Sequence, residues 1–352
     1  MIDQDRRARS SIARTTFWTF TALALPGLAL TTAAWFWESP ALLAQLSPFR
    51  VQYAVLLAAH ALFCLALRRR RWAAFFAAFA LLNAGAVLHA TRAFASPPAP
   101  TAGPGSAAPL KIVFANVLTS NADPAPLFRL IAEEKPDLVA LLEINGRWKS
   151  LLLSRLSADF PFQSVHPRED NFGLALFSRA RPGGGRVEFF ADVEAPSLDL
   201  VWYHPDAAIR IVLTHPLPPG DDATTALRNQ HLDDLANWRR FVAGLTASDA
   251  PSTPTLILGD LNATPWCPPL RRLLADTGLR PAAADAGLLA PSWPVPVPFL
   301  RIPLDHALLS PDLACVSYRV GPDIGSDHFP LILELSPVPA SPPPDRPAAD
   351  RG

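Results

Sequence analysis

Apolar residues are distributed unevenly along the chain, and their spacing changes near residue 100. The first part contains three long apolar runs, at about residues 16–37, 51–67 and 72–90, and no polar face recurs in them at helical spacing. A helix needs about 20 apolar residues to cross the bilayer core, so the first and third runs are long enough. The second run has 17 residues and lies at the short end of that range. The pattern predicts three transmembrane helices.

Two other interpretations of these runs stay open at this point. The first run has the position of a cleaved signal peptide, but it is long for such an apolar region and two further apolar runs follow it. The runs could also be buried helices of a soluble bundle. The lack of a polar stripe argues against that interpretation, since a surface helix shows one.

After residue 110 the apolar residues form short runs that are typical of β-strands. Strand patterns occur at 111–117, 138–142, 173–178, 209–214, 255–258, 306–309 and 331–335. Helical patterns cover 126–134 and, most clearly, 221–245, where an apolar stripe recurs every three to four residues. Short strands mixed with a few helices predict an α+β or layered α/β domain.

Composition divides the chain into four parts. Half of all residues are hydrophobic and 18% are charged, which excludes an intrinsically disordered protein. Segments rich in Pro, Ala, Gly and Ser lie at 96–109 and 336–352. We therefore predict a membrane anchor at 1–95, a linker at 96–109, one compact domain at 110–335 and a disordered tail at 336–352.

The net charge of zero hides two oppositely charged halves. Residues 1–95 carry +7 and residues 110–336 carry −7. The Arg residues of the first half are concentrated in the N-terminal arm and at 68–71, whereas the connection at 38–50 is neutral. Short loops rich in Lys and Arg stay in the cytoplasm, so the N-terminus is predicted to be cytoplasmic and the domain at 110–335 to be outside the membrane.

Polar residues suited to metal and phosphate chemistry stand where the predicted strands begin or end. These residues are Asn116, Glu143, His215, Asp260, Asn262, Asp305, Asp327 and His328. Strand ends converge on one rim of a sheet sandwich, where rigid elements can assemble a site. Hard oxygen ligands accompanied by His are what a Mg²⁺ site for phosphate chemistry needs. No G-x-S-x-G motif competes with this interpretation, and Cys267 and Cys315 lack recognisable partners, although their pairing stays open.

The same residues lie in an ordered series of motifs. The series is Asn116, PDLVALLE ending at Glu143, FGLALFSR at 172–179, TH at 214–215, GDLN at 259–262, PLDH at 303–306 and GSDHFP at 325–330. It resembles the endonuclease/exonuclease/phosphatase superfamily, which has the deoxyribonuclease-I-like fold, over about residues 110–335. The membrane-tethered layout is similar to a bacterial branch of that superfamily, and it implies a multi-pass protein of the bacterial inner membrane with a periplasmic catalytic domain.

The resemblance implies a four-layer α/β-sandwich, in which two mixed β-sheets pack face to face with helices outside. It also implies a phosphoric ester hydrolase that uses Mg²⁺ or Mn²⁺ and attacks phosphorus in line with a water molecule. Glu143 would be the principal metal ligand, with Asn116 and Asp327 close to the metal.

The resemblance further implies the roles of five catalytic residues. Asp260 would orient or deprotonate the attacking water, and Asn262 would hold the nucleophile or a phosphate oxygen. His328, oriented by Asp305, would be a general base or a hydrogen-bond donor, and His215 would contact the phosphate from the opposite side. Which of Asp260 and His328 removes the proton stays open.

Two features of the sequence bear on the substrate. Leu142 stands where many members of the superfamily carry Gln before the metal-binding Glu. The domain is acidic and has no basic cluster beside the motifs except Arg271 and Arg272, which disfavours nucleic acid as a substrate without excluding it. Lipid headgroups and small phosphoesters fit equally well.

Two smaller questions stay open as well. A catalytically silent, membrane-tethered binding module is the alternative to an enzyme, but chemically competent residues at every motif position argue against it. Trp266, Trp293 and Phe299 could form an apolar lip for substrate, although core positions are the preferred interpretation.

Overall fold

The computed structural model describes residues 40–92, 107–191, 193–245, 253–286 and 289–338, together with separate positions between 15 and 35. Parts of the first predicted span, and most of the linker and of the tail, therefore lie outside the described residues. The N-terminal part consists of α1 (Ala41–Leu46), a 3₁₀ turn (Ser47–Phe49), α2 (Arg50–Ala66) and α3 (Arg70–Arg92). Helices α2 and α3 are joined by a tight turn and pack against each other.

Two helical stretches of the described chain are long and apolar enough to cross a membrane, where three were predicted. They cover Ala41–Ala66, with 26 residues, and Arg70–Arg92, with 23. Helix α2 agrees with the predicted second span at 51–67 within one residue at each end, whereas the connection at 38–50 contains α1 and a 3₁₀ turn that run directly into α2. Length and composition make these helices candidates for membrane spans and no more than that.

The outward faces of α2 and α3 are apolar. Leu62 is 68% exposed and Leu81 is 72% exposed, whereas Cys64, Phe76 and Ala80 are buried between the helices. A soluble bundle would expose polar side chains at the outer positions, since large apolar patches on soluble proteins are rare. The distribution argues against the soluble-bundle interpretation.

The C-terminal part contains two six-stranded mixed sheets. The first sheet has the order β11-β12-β1-β2-β4-β3, with β1 at Leu110–Asn116, β2 at Leu138–Leu142, β3 at Phe162–His166, β4 at Leu174–Ser178, β11 at Leu313–Val320 and β12 at Leu331–Pro337. The second has the order β5-β6-β7-β8-β10-β9, with β5 at Gly183–Phe189, β6 at Pro196–Tyr203, β7 at Ala208–Thr214, β8 at Thr255–Asp260, β9 at Arg280–Pro281 and β10 at Asp305–Leu309. The pairs β1–β2 and β7–β8 are parallel and the other pairs are antiparallel.

Helices cover the outer face of each sheet. Helices α4 (Ala125–Glu134) and α5 (Gly146–Leu156) pack on the first sheet, and α6 (Asp222–Leu245) and α7 (Pro268–Thr277) pack on the second; α8 (Ala282–Asp285) is one short turn. Side chains alternate across β1, so Ile112 and Phe114 face the second sheet, whereas Val113 and Ala115 face α4 and α5. The layers are therefore helix, sheet, sheet and helix, as predicted.

Strand pairing brings the motif residues to one rim. Asn116 is the last residue of β1, and its partner in the parallel strand β2 immediately precedes Glu143. Thr214 pairs with Gly259 in the parallel pair β7–β8, which places His215 beside Asp260. Asp305 lies directly opposite Asp260 in the antiparallel pair β8–β10. The rim therefore follows from the sheet topology.

Close approach of the chain at this rim depends on glycine. A Cβ atom added at Gly259 would lie 2.3 Å from the carbonyl oxygen of Thr214, and one added at Gly173 would lie 1.8 Å from the carbonyl oxygen of Ile144. Both obstacles are backbone atoms, which a side-chain rotation cannot move. The motifs GDLN and FGLALFSR thus require glycine for packing reasons.

We expect Gly259→Ala to destabilise the protein by about 2 kcal/mol or more, since the new methyl group forces β7 and β8 apart. Chemical unfolding of the full chain in detergent measures this. Gly244→Ala, near the end of α6, is the matched control, because nothing lies within 4 Å of the added methyl group. It should leave stability unchanged or raise it by up to about 1 kcal/mol. Equal stabilities of the two variants would contradict the packing argument.

Candidate active site

The carboxylate of Asp260, at the end of β8, is the centre of the candidate site. Its Oδ2 atom lies 3.6 Å from Nε2 of His215 and 3.5 Å from Nε2 of His328. The same oxygen accepts a hydrogen bond from Nδ2 of Asn116 at 3.3 Å, and Oδ1 accepts one from the backbone N–H of Asn262 at 3.1 Å. Asp260 is almost fully buried, so these groups replace water around its charge.

The three titratable groups shift each other's pKa. Burial alone would raise the pKa of Asp260, but the two neighbouring imidazoles outweigh burial and lower it. Burial alone would lower the pKa of both imidazoles. The Asp260 carboxylate raises the pKa of His215, and Asp305 together with Asp260 raises that of His328 well above its usual range. The arrangement favours an ionised carboxylate between protonated imidazoles.

Asp305 fixes the orientation of the His328 ring. Nδ1 of His328 lies 2.7 Å from Oδ2 of Asp305, so Nδ1–H donates to Asp305 and Nε2 points to Asp260. The backbone N–H of Asp305 donates to Oγ of Ser292 at 3.2 Å, which holds the start of β10 against the preceding loop. Oδ1 of Asp305 is buried and has no hydrogen-bond partner in the described chain.

Glu143 follows β2 directly, and the backbone leaves the strand direction at this residue. Its φ angle of 62° lies in the left-handed region, which few non-glycine residues adopt. Oε1 accepts a hydrogen bond from Nδ2 of Asn116 at 2.9 Å, and Oε2 accepts one from the backbone N–H of Thr119 at 3.2 Å. Nδ2 of Asn116 thus bridges the carboxylates of Glu143 and Asp260 and connects the two sheets.

Asp327 lies at the edge of the site, next to His328 in the chain. Its Oδ2 accepts a hydrogen bond from Nε1 of Trp293 at 2.9 Å, and its carbonyl oxygen accepts one from the backbone N–H of Val295 at 2.8 Å. Oδ1 of Asp327 is buried without a partner in the described chain. A buried, unpaired carboxylate oxygen is costly unless a donor or a cation binds it.

Asn262 supports a loop. Its Nδ2 donates to the carbonyl oxygen of Pro216 at 3.0 Å, which positions the chain directly after His215. Arg228 in turn donates to the carbonyl oxygen of Asn262 at 2.6 Å. The predicted contact of Asn262 with the nucleophile or a phosphate oxygen stays a prediction.

The donor set fits a divalent cation. Asp260, Asp305 and His328 offer potential ligand atoms within 4.8 Å of one another, but Nδ1 of His328 and Oδ2 of Asp305 bind each other. Glu143 and Asp327 add two further carboxylates, so four carboxylates face two imidazoles. Even with both imidazoles protonated, two negative charges remain, and a divalent cation would balance them.

Three residues that contact the site were not identified from the sequence. Thr119 and Ser292 are small polar loop residues with no distinctive spacing. Trp293 was interpreted as a core residue, but its ring centroid lies 6.4 Å from that of His328 and its N–H binds Asp327. Phe172, in the FGLALFSR motif, has its ring centroid 5.2 Å from that of His215.

The other four imidazoles of the domain make local contacts. His204 binds the carbonyl oxygen of Ala108 at 2.9 Å and His306 binds that of Ala263 at 2.8 Å. His231 on α6 binds Oγ1 of Thr214 at 2.7 Å, directly behind His215. His166 binds Oγ of Ser164 at 3.0 Å within β3.

The sequence model of the Endonuclease/Exonuclease/phosphatase family matches residues 113–328, which is more than half of the chain. The chain belongs to this family. Its members are phosphoester hydrolases, and the family generally uses a divalent metal. Among curated proteins, none is significantly similar in sequence.

Solved structures show the same fold at low sequence identity. The endonuclease/exonuclease/phosphatase from Beutenbergia cavernae is 18% identical, with 66% of this chain and 72% of that chain covered and a TM-score of 0.53. D. rerio TDP2 complexed with single strand DNA product is 15% identical, with coverages of 64% and 98% and a TM-score of 0.51. A mannosyl-6-phosphatase from Bacteroides thetaiotaomicron is 14% identical, with coverages of 64% and 99% and a TM-score of 0.50. These likenesses concern the fold alone.

Burial lowers the pKa of His231 to about 3, so acid should destabilise the protein through this residue. Between pH 6.5 and pH 3 the unfolded chain binds a proton that the folded protein excludes. The stabilising contribution is therefore complete above pH 6.5 and is lost as the pH falls. Moving from pH 7 to pH 5 should cost about 2 kcal/mol of unfolding free energy.

His231→Gln, whose amide can still bind Thr214, should reduce this pH dependence by about that amount. Chemical unfolding of both proteins at pH 7 and pH 5 measures the difference. The same loss of stability in wild type and variant would show that His231 is not the group responsible.

Proposed function

We propose that the protein is a membrane-anchored phosphoesterase that hydrolyses a phosphoester with the help of a divalent metal ion, Mg²⁺ or Mn²⁺. One observation carries the proposal: the Asp260 carboxylate lies between two imidazoles and shares the Asn116 amide with Glu143. This arrangement combines anionic metal ligands with cationic hydrogen-bond donors at one rim. Phosphoester hydrolysis needs both, because charge develops on phosphoryl oxygens while water attacks.

Glu143, Asn116 and Asp327 would hold the metal. His328 is a poor ligand, because its Nδ1 is committed to Asp305 and the carboxylates favour its protonated form, whereas a metal needs the neutral imidazole. We therefore place the metal beside the Asp260–His328 pair. When bound, the metal supplies positive charge that neutralises the phosphoryl oxygens and the departing alkoxide.

The other residues handle protons. Asp260 keeps its charge at neutral pH because its pKa is lowered, so it accepts a hydrogen bond from the attacking water and takes the proton as the bond to phosphorus forms. His328 and His215 carry protons on their nitrogens and donate hydrogen bonds to phosphoryl oxygens. Asp305 is a positioning residue that holds the His328 ring.

The anchor spans the bacterial inner membrane with the N-terminus in the cytoplasm and the catalytic domain in the periplasm. The Arg-rich turn between α2 and α3 supports this orientation. Val51 at the start of α2 and Val87 near the end of α3 pack against Trp266 of the catalytic domain, so the Arg residues at 68–71 occupy the opposite end of the helix pair. That end is the cytoplasmic one under the positive-inside rule.

Removing the charge of Glu143 should slow hydrolysis. The full chain in detergent should hydrolyse bis-p-nitrophenyl phosphate in the presence of Mg²⁺, and EDTA should abolish this hydrolysis. Glu143→Gln removes one charge from the proposed metal site and should lower kcat/KM on the order of 100-fold. Glu133→Gln, an exposed carboxylate on α4, should behave like wild type. Metal-dependent turnover that survives in Glu143→Gln would remove this residue from the site.

The wild-type result decides between the two classes of function. Turnover that EDTA abolishes supports a metal-dependent enzyme. Absence of turnover on any phosphoester, in a chain that folds, would instead favour a binding module that keeps the fold.

Asp305 and His328 should act as one unit. Because Asp305 holds the ring that donates to the substrate, Asp305→Asn and His328→Gln should each lower kcat about 100-fold or more, and the double variant should be little worse than His328→Gln alone. Steady-state kinetics of the four proteins give the coupling. The exposed Asp276→Asn on α7 is the control. Multiplicative losses would show that the two residues act independently.

A further inference from the structure

Three loops that carry or border the candidate site also contact the anchor. The loops are 215–222 after β7, 261–267 after β8 and 292–301 before β10, and we name them the first, second and third rim loops. Each is bound to the anchor connection, defined as residues 41–52, which contains α1, the 3₁₀ turn and the first residues of α2. The site and the anchor are therefore parts of one structure.

The first rim loop is bound to α1. Nε2 of Gln45 donates to the carbonyl oxygens of Pro219 and Gly220, at 2.9 and 2.8 Å. The backbone N–H of Ala41 donates to a carboxylate oxygen of Asp222, at the start of α6. This loop begins at His215, so the anchor holds the chain that carries one imidazole of the site.

The second rim loop packs on the 3₁₀ turn. Nε1 of Trp266 donates to the carbonyl oxygen of Pro48 at 3.0 Å, and the buried indole packs against α3. Oγ of Ser47 lies 3.2 Å from Sγ of Cys267, and both atoms are buried. This loop follows Asp260 directly, so the central carboxylate is six or seven residues from the anchor contacts.

The third rim loop connects α2 to Asp327. Nε2 of Gln52 donates to the carbonyl oxygen of Arg301 at 3.0 Å, and Arg301 donates to the carbonyl oxygen of Val295 at 2.6 Å. Val295 donates to the carbonyl oxygen of Asp327. Gln52 lies in the first turn of α2, directly after the segment 41–49 that contacts the catalytic domain, so the third loop lies at the level where α2 leaves the domain.

The tip of the third rim loop is apolar and exposed. Phe299 is 76% exposed and Leu300 is 38% exposed, in the 3₁₀ turn Pro298–Leu300 next to Arg301. An aromatic and an aliphatic side chain at the water end of a membrane span face the headgroup region, where such residues are favoured. The preference for a core position of Phe299 was wrong, and its exposure is explained if lipid covers it.

We propose that the site opens at the bilayer surface, that the turn Pro298–Leu300 enters the outer leaflet, and that the substrate is a phosphoester of a lipid held in that leaflet. The proposal rests on the proposed function and deepens it. A lipid phosphate at headgroup level reaches the rim loops without leaving the membrane. The acidic domain, in contrast, offers little attraction to a dissolved polyanion.

The placement of the turn is tested by dye quenching in the full chain. Cys315→Ser removes the partly accessible thiol, and the remaining Cys64 and Cys267 are buried, so dye uptake by this background variant alone should be negligible. Phe299→Cys in this background is labelled with the fluorophore NBD and reconstituted into phosphatidylcholine vesicles containing nitroxide-labelled lipid. Phe241→Cys is the matched control, because Phe241 is 66% exposed and lies 19 residues along α6 from the anchored end.

At position 299 the nitroxide lipid should quench the dye at least twofold more strongly than at position 241. Equal quenching at the two positions would overturn the placement of the turn at the bilayer. This readout does not depend on catalysis.

The substrate class is tested with the reconstituted wild-type chain and Mg²⁺. Phosphatidylglycerol and phosphatidic acid in vesicles are compared with glycerophosphoglycerol and glycerol 3-phosphate in solution. We expect the kcat/KM for at least one lipid to exceed that for its soluble headgroup by tenfold or more. Two outcomes would overturn the lipid assignment and leave the proposed function standing. The first is faster cleavage of the soluble compounds than of the lipids, and the second is cleavage of bis-p-nitrophenyl phosphate when neither lipid is cleaved. Failure on bis-p-nitrophenyl phosphate as well would overturn the proposed function, while the dye measurement still decides the placement.

Discussion

The buried charge of Asp260 is the constraint on which the rest of the site depends. A carboxylate in a protein interior needs partners that replace its hydration, and removing one partner of such a group costs about 3–5 kcal/mol. His215 comes from the parallel neighbour β7, Asp305 lies opposite in β10, and His328 precedes β12 of the other sheet. The two imidazoles, one of them held by Asp305, satisfy this carboxylate, and the same arrangement gives the proton acceptor and the two cationic donors of the proposed mechanism. Stability and chemistry therefore depend on the same contacts.

The site also joins the two sheets at their common rim. Nδ2 of Asn116 bonds to Glu143 within the first sheet and to Asp260 at the end of the second. Ser326, just before Asp327 and His328, donates to the carbonyl oxygen of Asn116 at 2.8 Å. Because each of these side chains stands at a strand end and is held by a backbone or side-chain partner, their separations are set by sheet packing. A site built in this way is rigid before substrate arrives, which is what electrostatic stabilisation of a transition state requires.

The sequence predicted seven strands and missed the edge strands of both sheets, together with the inner strand β6, whose apolar run is interrupted by Ser197 and Asp199. Central strands are buried on both faces and read as continuous apolar runs, whereas β3 and β5 are edge strands with half-exposed or glycine-rich sequences. The candidate site residues could be listed from the sequence because motif order places them at strand ends, and their catalytic roles stay predictions. The contacts of Thr119, Ser292 and Trp293 depend on which loops meet in three dimensions. The spacing of residues along the sequence does not predict such contacts. The helical structure at 41–50 was not predicted for the same reason, since its hydrogen-bond partners lie more than 170 residues away in the sequence.

Under the proposed membrane anchoring, the anchor connection would let an acidic domain work at a membrane. Peripheral enzymes hold to anionic lipid through clustered Lys and Arg, each worth about 1 kcal/mol near the surface. This domain carries −7, so electrostatics would push it away from an anionic bilayer. A flexible linker alone would keep the domain nearby without orienting it. The hydrogen bonds from Gln45, Gln52 and Trp266 fix the orientation of the domain relative to the helices, because they attach all three rim loops to residues 45–52. An enzyme oriented in this way gains nothing from a positive surface.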